Sequence, residues 1–163
     1  MNGEGFLTAL WGPKPPGFIL TWQLSSKASS YLLSPAGASG IPVSSTDVYT
    51  GVATSGKKLD KNRRTTNQLA KSIAGVWADI DVNGGPDQKT GAAETKADAI
   101  ELASSILEPT IIVDSGYGIQ AWWLFDGGPW EFKSTDDQEH AAKLTAQWQK
   151  LHRDRADFGL DYT

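Results

Sequence analysis

Seven consecutive residues, Val76-Trp77-Ala78-Asp79-Ile80-Asp81-Val82, constrain this chain more than any other stretch. Side chains alternate across a strand, so Val76, Ala78, Ile80 and Val82 fall on one face and Trp77, Asp79 and Asp81 on the other. The first face requires a core behind it. The second sets two carboxylates roughly 6.6–6.8 Å apart along the strand, where only water or a cation suits them. Neighbouring like charges raise each other's proton affinity, and a divalent ion between them relieves the repulsion. All-oxygen donors suit Mg²⁺ or Mn²⁺, hard ions that use one or two protein carboxylates and complete their shell with water and phosphate. The stretch is therefore either a metal-binding strand serving phosphoryl chemistry or a half-buried strand whose wet face is acidic.

Helices and strands can be read on both sides of it. Residues 3–10 predict a short helix, broken by Gly12-Pro13 and Pro15-Pro16. Phe18–Trp22 reads as a strand, Ser29–Leu33 as a brief second element, and Asp47–Thr54 as a further strand. After the central strand, Asn83–Asp87 has the composition of a loop. Residues 92–107 predict a helix with Ala93, Ala97, Ile100, Ala103 and Leu107 on its apolar stripe and Pro109 as its stop. Thr110–Asp114 and Ile119–Phe125 form a hairpin through Ser115-Gly116-Tyr117-Gly118. Ile119, Ala121, Trp123 and Phe125 share one face of its second strand; Trp122 and Trp123 are read as packing groups. Thr135-Asp136-Asp137-Gln138 has capping-box spacing and opens a last helix, packed through Ala141, Leu144, Trp148 and Leu151. His140 and His152 ride on that helix without partners at metal-ligand spacing, and are read as surface or structural residues.

Length and composition narrow the function classes. At 163 residues the chain suits one domain with a real core. Cysteine is absent, which removes disulfides, thiolate zinc sites and thiol nucleophiles, and fits a reducing, cytoplasmic interior. No apolar run approaches the roughly 18 residues a membrane helix needs, and the first residues lack a basic secretory start. The formal charge of −4 argues against a protein that coats duplex DNA non-specifically. Positive charge is nonetheless concentrated: Lys57, Lys58, Lys61, Arg63 and Arg64 fall in one short stretch upstream of the aspartates. This stretch is either a solvated loop or one whose Arg63, Arg64 or neighbouring lysine reaches a nucleoside triphosphate or a strand backbone.

Three features stand in order: Trp77-Ala78-Asp79-Ile80-Asp81, then Asp114-Ser115-Gly116-Tyr117-Gly118-Ile119-Gln120, then Gly159-Leu160-Asp161. The order resembles the catalytic domain of the archaeo-eukaryotic primase superfamily, particularly the primase–polymerase domains of plasmid and phage replication proteins. The first feature is similar to that family's Asp-x-Asp strand, the second to its Ser-Gly-x-Gly-x-His hairpin, and Asp161 to the acidic residue of its third motif. Asp47-Val48-Tyr49-Thr50-Gly51-Val52 is similar to a strand that often precedes the first motif. The resemblance implies an α+β fold: a mostly antiparallel RNA-recognition-like sheet with helices on one face, and an N-terminal αβ extension over about residues 1–55. It implies metal-dependent nucleotidyl transfer, with Asp79, Asp81 and Asp161 holding Mg²⁺ or Mn²⁺. Ser115, Gly116, Gly118, Gln120, Arg63 and Arg64 would meet the nucleotide. Implied partners are nucleoside triphosphates, a single-stranded DNA template, and a helicase domain or partner in the full-length protein. Two departures stand out. Gln120 replaces the family's usual histidine, keeping an amide donor but no charge. The family also continues past its third motif, so this chain, ending at Thr163, is expected to be a single catalytic domain truncated there.

Two other readings stay open. A nucleotide-sugar glycosyltransferase would use Asp79-Ile80-Asp81 for Mn²⁺ but leaves the hairpin motif and Asp161 idle. A single-strand or origin-binding module that kept the fold and lost the chemistry would account for Gln120.

Overall fold

The computed structural model describes residues 2–41, 47–60, 62–83 and 93–157. It is a mixed α+β protein of three small antiparallel sheets, an N-terminal helix and a long C-terminal helix. Its contacts divide into two units, Met1–Ala74 with Phe125–Ala141, and Gly75–Leu124 with Ala142–Thr163.

In the first unit, helix α1 (Gly3–Trp11) starts where the Asn2 side chain accepts a 2.8 Å hydrogen bond from the Gly5 amide. Leu7, Leu10 and Trp11 are its buried residues. Strand β1 (Ile19–Gln23) is central to a sheet with β2 (Ala28–Leu32) and β3 (Val48–Thr50). The strand expected over Asp47–Thr54 does not run through. It breaks at Gly51-Val52, and β4 (Ala53–Ser55) pairs instead with β5 (Ala70–Ile73), which pairs with β9 (Trp130–Glu131). The break has a local cause: the Gly51 amide donates to the Leu20 carbonyl at 2.8 Å, ending the β1–β3 ladder, while Thr54 pairs with Ser72. Those two hydroxyls are fully buried and satisfy each other at 2.6 Å. Ile73, Phe132 and Ala141 form a core cluster beside this second sheet, with Phe125 and Trp130 packed on it.

The second unit carries the acidic strand. Strand β6 (Gly75–Asp81) pairs antiparallel with β8 (Gly118–Leu124), and β8 with β7 (Ile111–Asp114), in the order β6–β8–β7. Between β6 and β7 lies helix α2 (Lys96–Ser104), and after β8 and β9 comes α3 (Thr135–Asp157), whose residues from Ala142 belong to this unit. Val76, Ala78 and Ile80 pair with Trp123, Ala121 and Ile119, and all six are buried. Both helices cover this face: α2 packs on β6 and β8, Trp148 of α3 meets Trp123 edge-on at 5.0 Å, and His152 reaches the Ala103 carbonyl. Helices on one face of an antiparallel sheet are the arrangement the sequence implied.

Several boundaries moved. The helix expected over 92–107 is confined to Lys96–Ser104, because Thr95 and Asp98 form a capping box. Its buried residues are Ala99, Leu102 and Ala103, whereas Ile100 and Leu107 are exposed; the expected stripe is rotated. In α3 the capping pair is Ser134 and Asp137 rather than Thr135 and Gln138. Gln138 instead donates to the Ala70 carbonyl at 2.8 Å. Leu151 is exposed, and His152 takes the inward place, stacked among Trp123 and Trp148. Trp122 and Trp123 are both buried packing groups.

Gly75 opens β6 where the neighbouring backbone leaves no space for a side chain. A Cβ there would lie 2.0 Å from the Trp123 carbonyl oxygen. Relief requires the β6–β8 backbones to part, so Gly75→Ala is expected to lower unfolding free energy by about 1–3 kcal/mol. Denaturant titration checks this, and an unchanged midpoint would contradict the close approach.

Candidate metal centre

The β6–β8 ladder decides which candidate residues meet. Asp79 pairs directly with Gln120 and Asp81 with Gly118, so these positions share one face. It is the face opposite the helices. Asp79 and Asp81 are exposed and Gln120 is half-buried. Beyond Asp81 the Val82 amide donates to the Tyr117 carbonyl at 3.0 Å, which ties the hairpin tip to the end of the acidic strand. Asp79, Asp81, Gln120 and Gly118, with Ser115 and Gly116 in the adjoining turn, are thus brought to one end of one sheet.

The turn is closed by its own backbone and side-chain hydrogen bonds. Gly116 has φ +94°, a conformation L-residues rarely adopt, and the Ser115 amide donates to the Gly118 carbonyl at 3.1 Å. Gly118 is required for a different reason: a Cβ there would stand 2.3 Å from the Ile80 carbonyl oxygen. Asp114 locks the turn, its carboxylate accepting from the Gly116 amide at 2.8 Å and from Lys96 Nζ at 2.6 Å. The Lys96 hydrogen bond, then the Gly116 amide, hold the Asp114 carboxyl below the usual range. Sequence reasoning missed this pair. The Asp-Ser-Gly spacing of an Asx turn signalled Asp114, whereas Lys96 depends on where α2 begins.

Asp79 behaves in the opposite way. Partial withdrawal from water, and secondly the charge of Asp81, raise its pKa. A cation placed beside the pair would offset both the partial desolvation of Asp79 and the repulsion from Asp81. The donor set fits a hard divalent ion that keeps open positions for water and phosphate. Among the described residues no third His, Cys, Asp or Glu completes a cluster around the pair. Asp161 lies outside the described residues. A cavity of about 210 Å³ runs beside β6, lined by Asp79, Ile80, Leu102, Gln149, His152 and Arg153.

Arg63 and Arg64 belong to the first unit, where both are exposed. The Arg63 carbonyl accepts from the Tyr31 hydroxyl at 2.9 Å, and the Arg64 guanidinium lies 5.3 Å from the Trp22 ring centroid. Among the described residues no helix is long and apolar enough to cross a membrane. Comparison of the chain with protein-family models, with curated proteins and with solved structures finds no match.

The raised Asp79 pKa has a definite sign in stability. The folded protein binds that proton more tightly than the unfolded chain, so stability falls as pH rises through the interval from the ordinary value to the raised one. Above that interval the cost persists at its full size. Asp79→Asn removes it and should raise the melting temperature at pH 7 in chelator, while Mn²⁺ should stabilise the wild type and not the variant. Calorimetric melts at pH 4 and pH 7, with chelator and with Mn²⁺, read both effects. A Mn²⁺ response equal in the two proteins would remove the pair as a metal site.

Proposed function

We propose that the chain is a primase–polymerase catalytic domain of the archaeo-eukaryotic primase type, transferring nucleotides to a growing DNA or RNA strand. The observation that carries this reading is the β6–β8 register, which sets the paired aspartates against Gln120 and the glycine turn. Two motifs far apart in sequence thereby share one end of one sheet face. Asp79 and Asp81 would hold Mg²⁺ or Mn²⁺, and the reading assigns Asp161 the third carboxylate. Metal bound there would stabilise charge on the attacking oxygen and on the departing pyrophosphate.

The remaining roles fall to groups of this chain. The Ser115 and Gly116 amides are engaged within the turn, so its glycines would serve to let a phosphate approach the backbone closely. The Ser115 hydroxyl is exposed beside them and can add a further donor. Gln120 can donate its side-chain amide to a phosphate beside Asp79, but without the charge of an imidazolium. Arg63 and Arg64, which belong to the first unit, are assigned to phosphates of the strand. The partners in this reading are nucleoside triphosphates, a single-stranded DNA template and a helicase partner or domain.

A second reading keeps the fold and drops the chemistry. Gln120 favours it, since the charged phosphate contact is gone. The glycosyltransferase reading gains no support from the hairpin, which it leaves unused.

Incorporation of labelled dNTPs and NTPs on primed and unprimed single-stranded templates with Mn²⁺ tests the proposal. Asp79→Ala and Asp81→Ala should each lower the rate on the order of a thousandfold, the size of several kcal/mol of lost charge stabilisation. Gln120→His should raise it, mainly by improving nucleotide binding. Wild-type incorporation that Asp79→Ala leaves unchanged would defeat the polymerase reading. Wild type that binds single strands yet incorporates nothing would support the second reading instead.

A further inference from the structure

The first unit holds an open aromatic and basic surface that the metal centre does not use. Along β1 and the residue before it, Phe18, Leu20 and Trp22 alternate onto one face. Tyr49 of β3 pairs directly with Trp22, their ring centroids 6.0 Å apart, and extends that face while remaining 47% exposed. Two cations lie over the same face: Lys58 Nζ is 5.2 Å from the Phe18 ring centroid, and the Arg64 guanidinium 5.3 Å from that of Trp22. Beside Arg64 opens a cavity of about 330 Å³ lined by Leu20, Trp22, Tyr49, Thr50, Gly51 and Arg64.

We infer that this face is a binding surface for single-stranded nucleic acid, with a base stacked on Tyr49 in the cavity and flanking phosphates on Arg64 and Lys58. The inference deepens the polymerase reading by giving the template strand a seat, and it rests on that reading only for the strand's biological role.

Charge complementarity chooses the partner. Among the described residues none of Lys58, Arg63 or Arg64 is paired with a carboxylate; other surface lysines share that state, but Lys58 and Arg64 alone stand over rings of one face. In a chain of net charge −4, unpaired cations gathered on one face mark a place for an anion. The rings specify which anion. An acidic peptide would need the cations but not an exposed phenol beside an indole. Nucleic acid with open bases needs both, because each base offers a planar π-face and each phosphate a charge. Arg suits the junction, since its planar guanidinium can stack on a ring and bond phosphate together. Duplex DNA hides its base faces and could use only the cations.

Fluorescence anisotropy of a labelled 20-nucleotide oligothymidine tests the surface, with EDTA present so that the metal site cannot contribute. Wild type should bind it, with affinity falling as salt rises, and should prefer it to a duplex of equal length. Tyr49→Ala should weaken binding on the order of tenfold or more, the size of one lost stacking contact, and Tyr49→Trp should restore it. Arg64→Gln should weaken binding and flatten the salt dependence. Asp79→Asn should bind as wild type does, so that loss of incorporation in that variant and loss of strand binding in Tyr49→Ala are separate failures. Melting curves confirm that the Tyr49 and Arg64 variants are folded. Absence of binding, equal affinity for duplex, or folded Tyr49→Ala and Arg64→Gln variants that bind as wild type would each overturn the inference.

Discussion

The antiparallel ladder between Gly75–Asp81 and Gly118–Leu124 is the constraint on which the candidate site depends. Because side chains alternate with period two, its register simultaneously decides what is buried and what converges. With Ile80 opposite Ile119 and Ala78 opposite Ala121, the apolar set closes under α2 and α3. The same register sets Asp79 opposite Gln120 and Asp81 opposite Gly118. A slip of one residue would expose Ile80 and bury both aspartates. Burial of the apolar face and assembly of the site are therefore one event, and the glycines at either end of the ladder allow the two backbones to approach that closely.

The site face is held at an electrostatic disadvantage that the rest of the unit tolerates. Asp79 is partly withdrawn from water and faces Asp81, while among the described residues no Lys or Arg forms an ion pair with either. Asp114 nearby shows the contrast: Lys96 and a backbone amide hold it ionised, and it acts as a fastener for the turn. Two carboxyls at one end of one sheet are thus differentiated by their neighbours. The satisfied one fixes structure, and the unsatisfied one is where the proposed cation would sit.

Much of the second unit was legible in the sequence because its signals are local. The alternation of Val76–Val82, the β-branched run ending at Asp114 and the glycine turn each carry a period or a conformation of their own. Where reading failed, a tertiary contact overrode a local pattern. Asp47–Thr54 alternates like one strand, but Gly51 bonds back to Leu20 and Thr54 finds Ser72, so two sheets share what looked like one element. The stripe of α2 was placed on Ala97 and Ile100, yet the Thr95 cap starts the helix later and Leu102 meets the sheet. For His152 the sequence leaves a surface or a structural place open, and the structure gives it the structural one. Its place is fixed by Trp123 and by the Ala103 carbonyl, neither adjacent in sequence. Of the site, the aspartate pair and the turn were readable, while Lys96 was not, because it rides on a helix whose rotation about the sheet no local pattern reports.

A negatively charged chain and a nucleic-acid partner are compatible because charge acts over short distances in salt. The Debye length near physiological ionic strength is about 8 Å, so a phosphate senses the cations beside it far more than the sum over the molecule. Lys71, Lys96, Lys133 and Lys150 each contact a carboxylate, whereas Lys58 and Arg64 lie over aromatic rings, which leave their charge available. The acidic face of the second unit works by the converse rule. Asp79 and Asp81 would repel a polyanion that met them bare, and a bound divalent ion reverses the sign of that face. On this account strand binding on the first unit needs no metal and phosphate binding beside Asp79 does. Under that proposal the two units would respond separately to chelation, although one chain carries both.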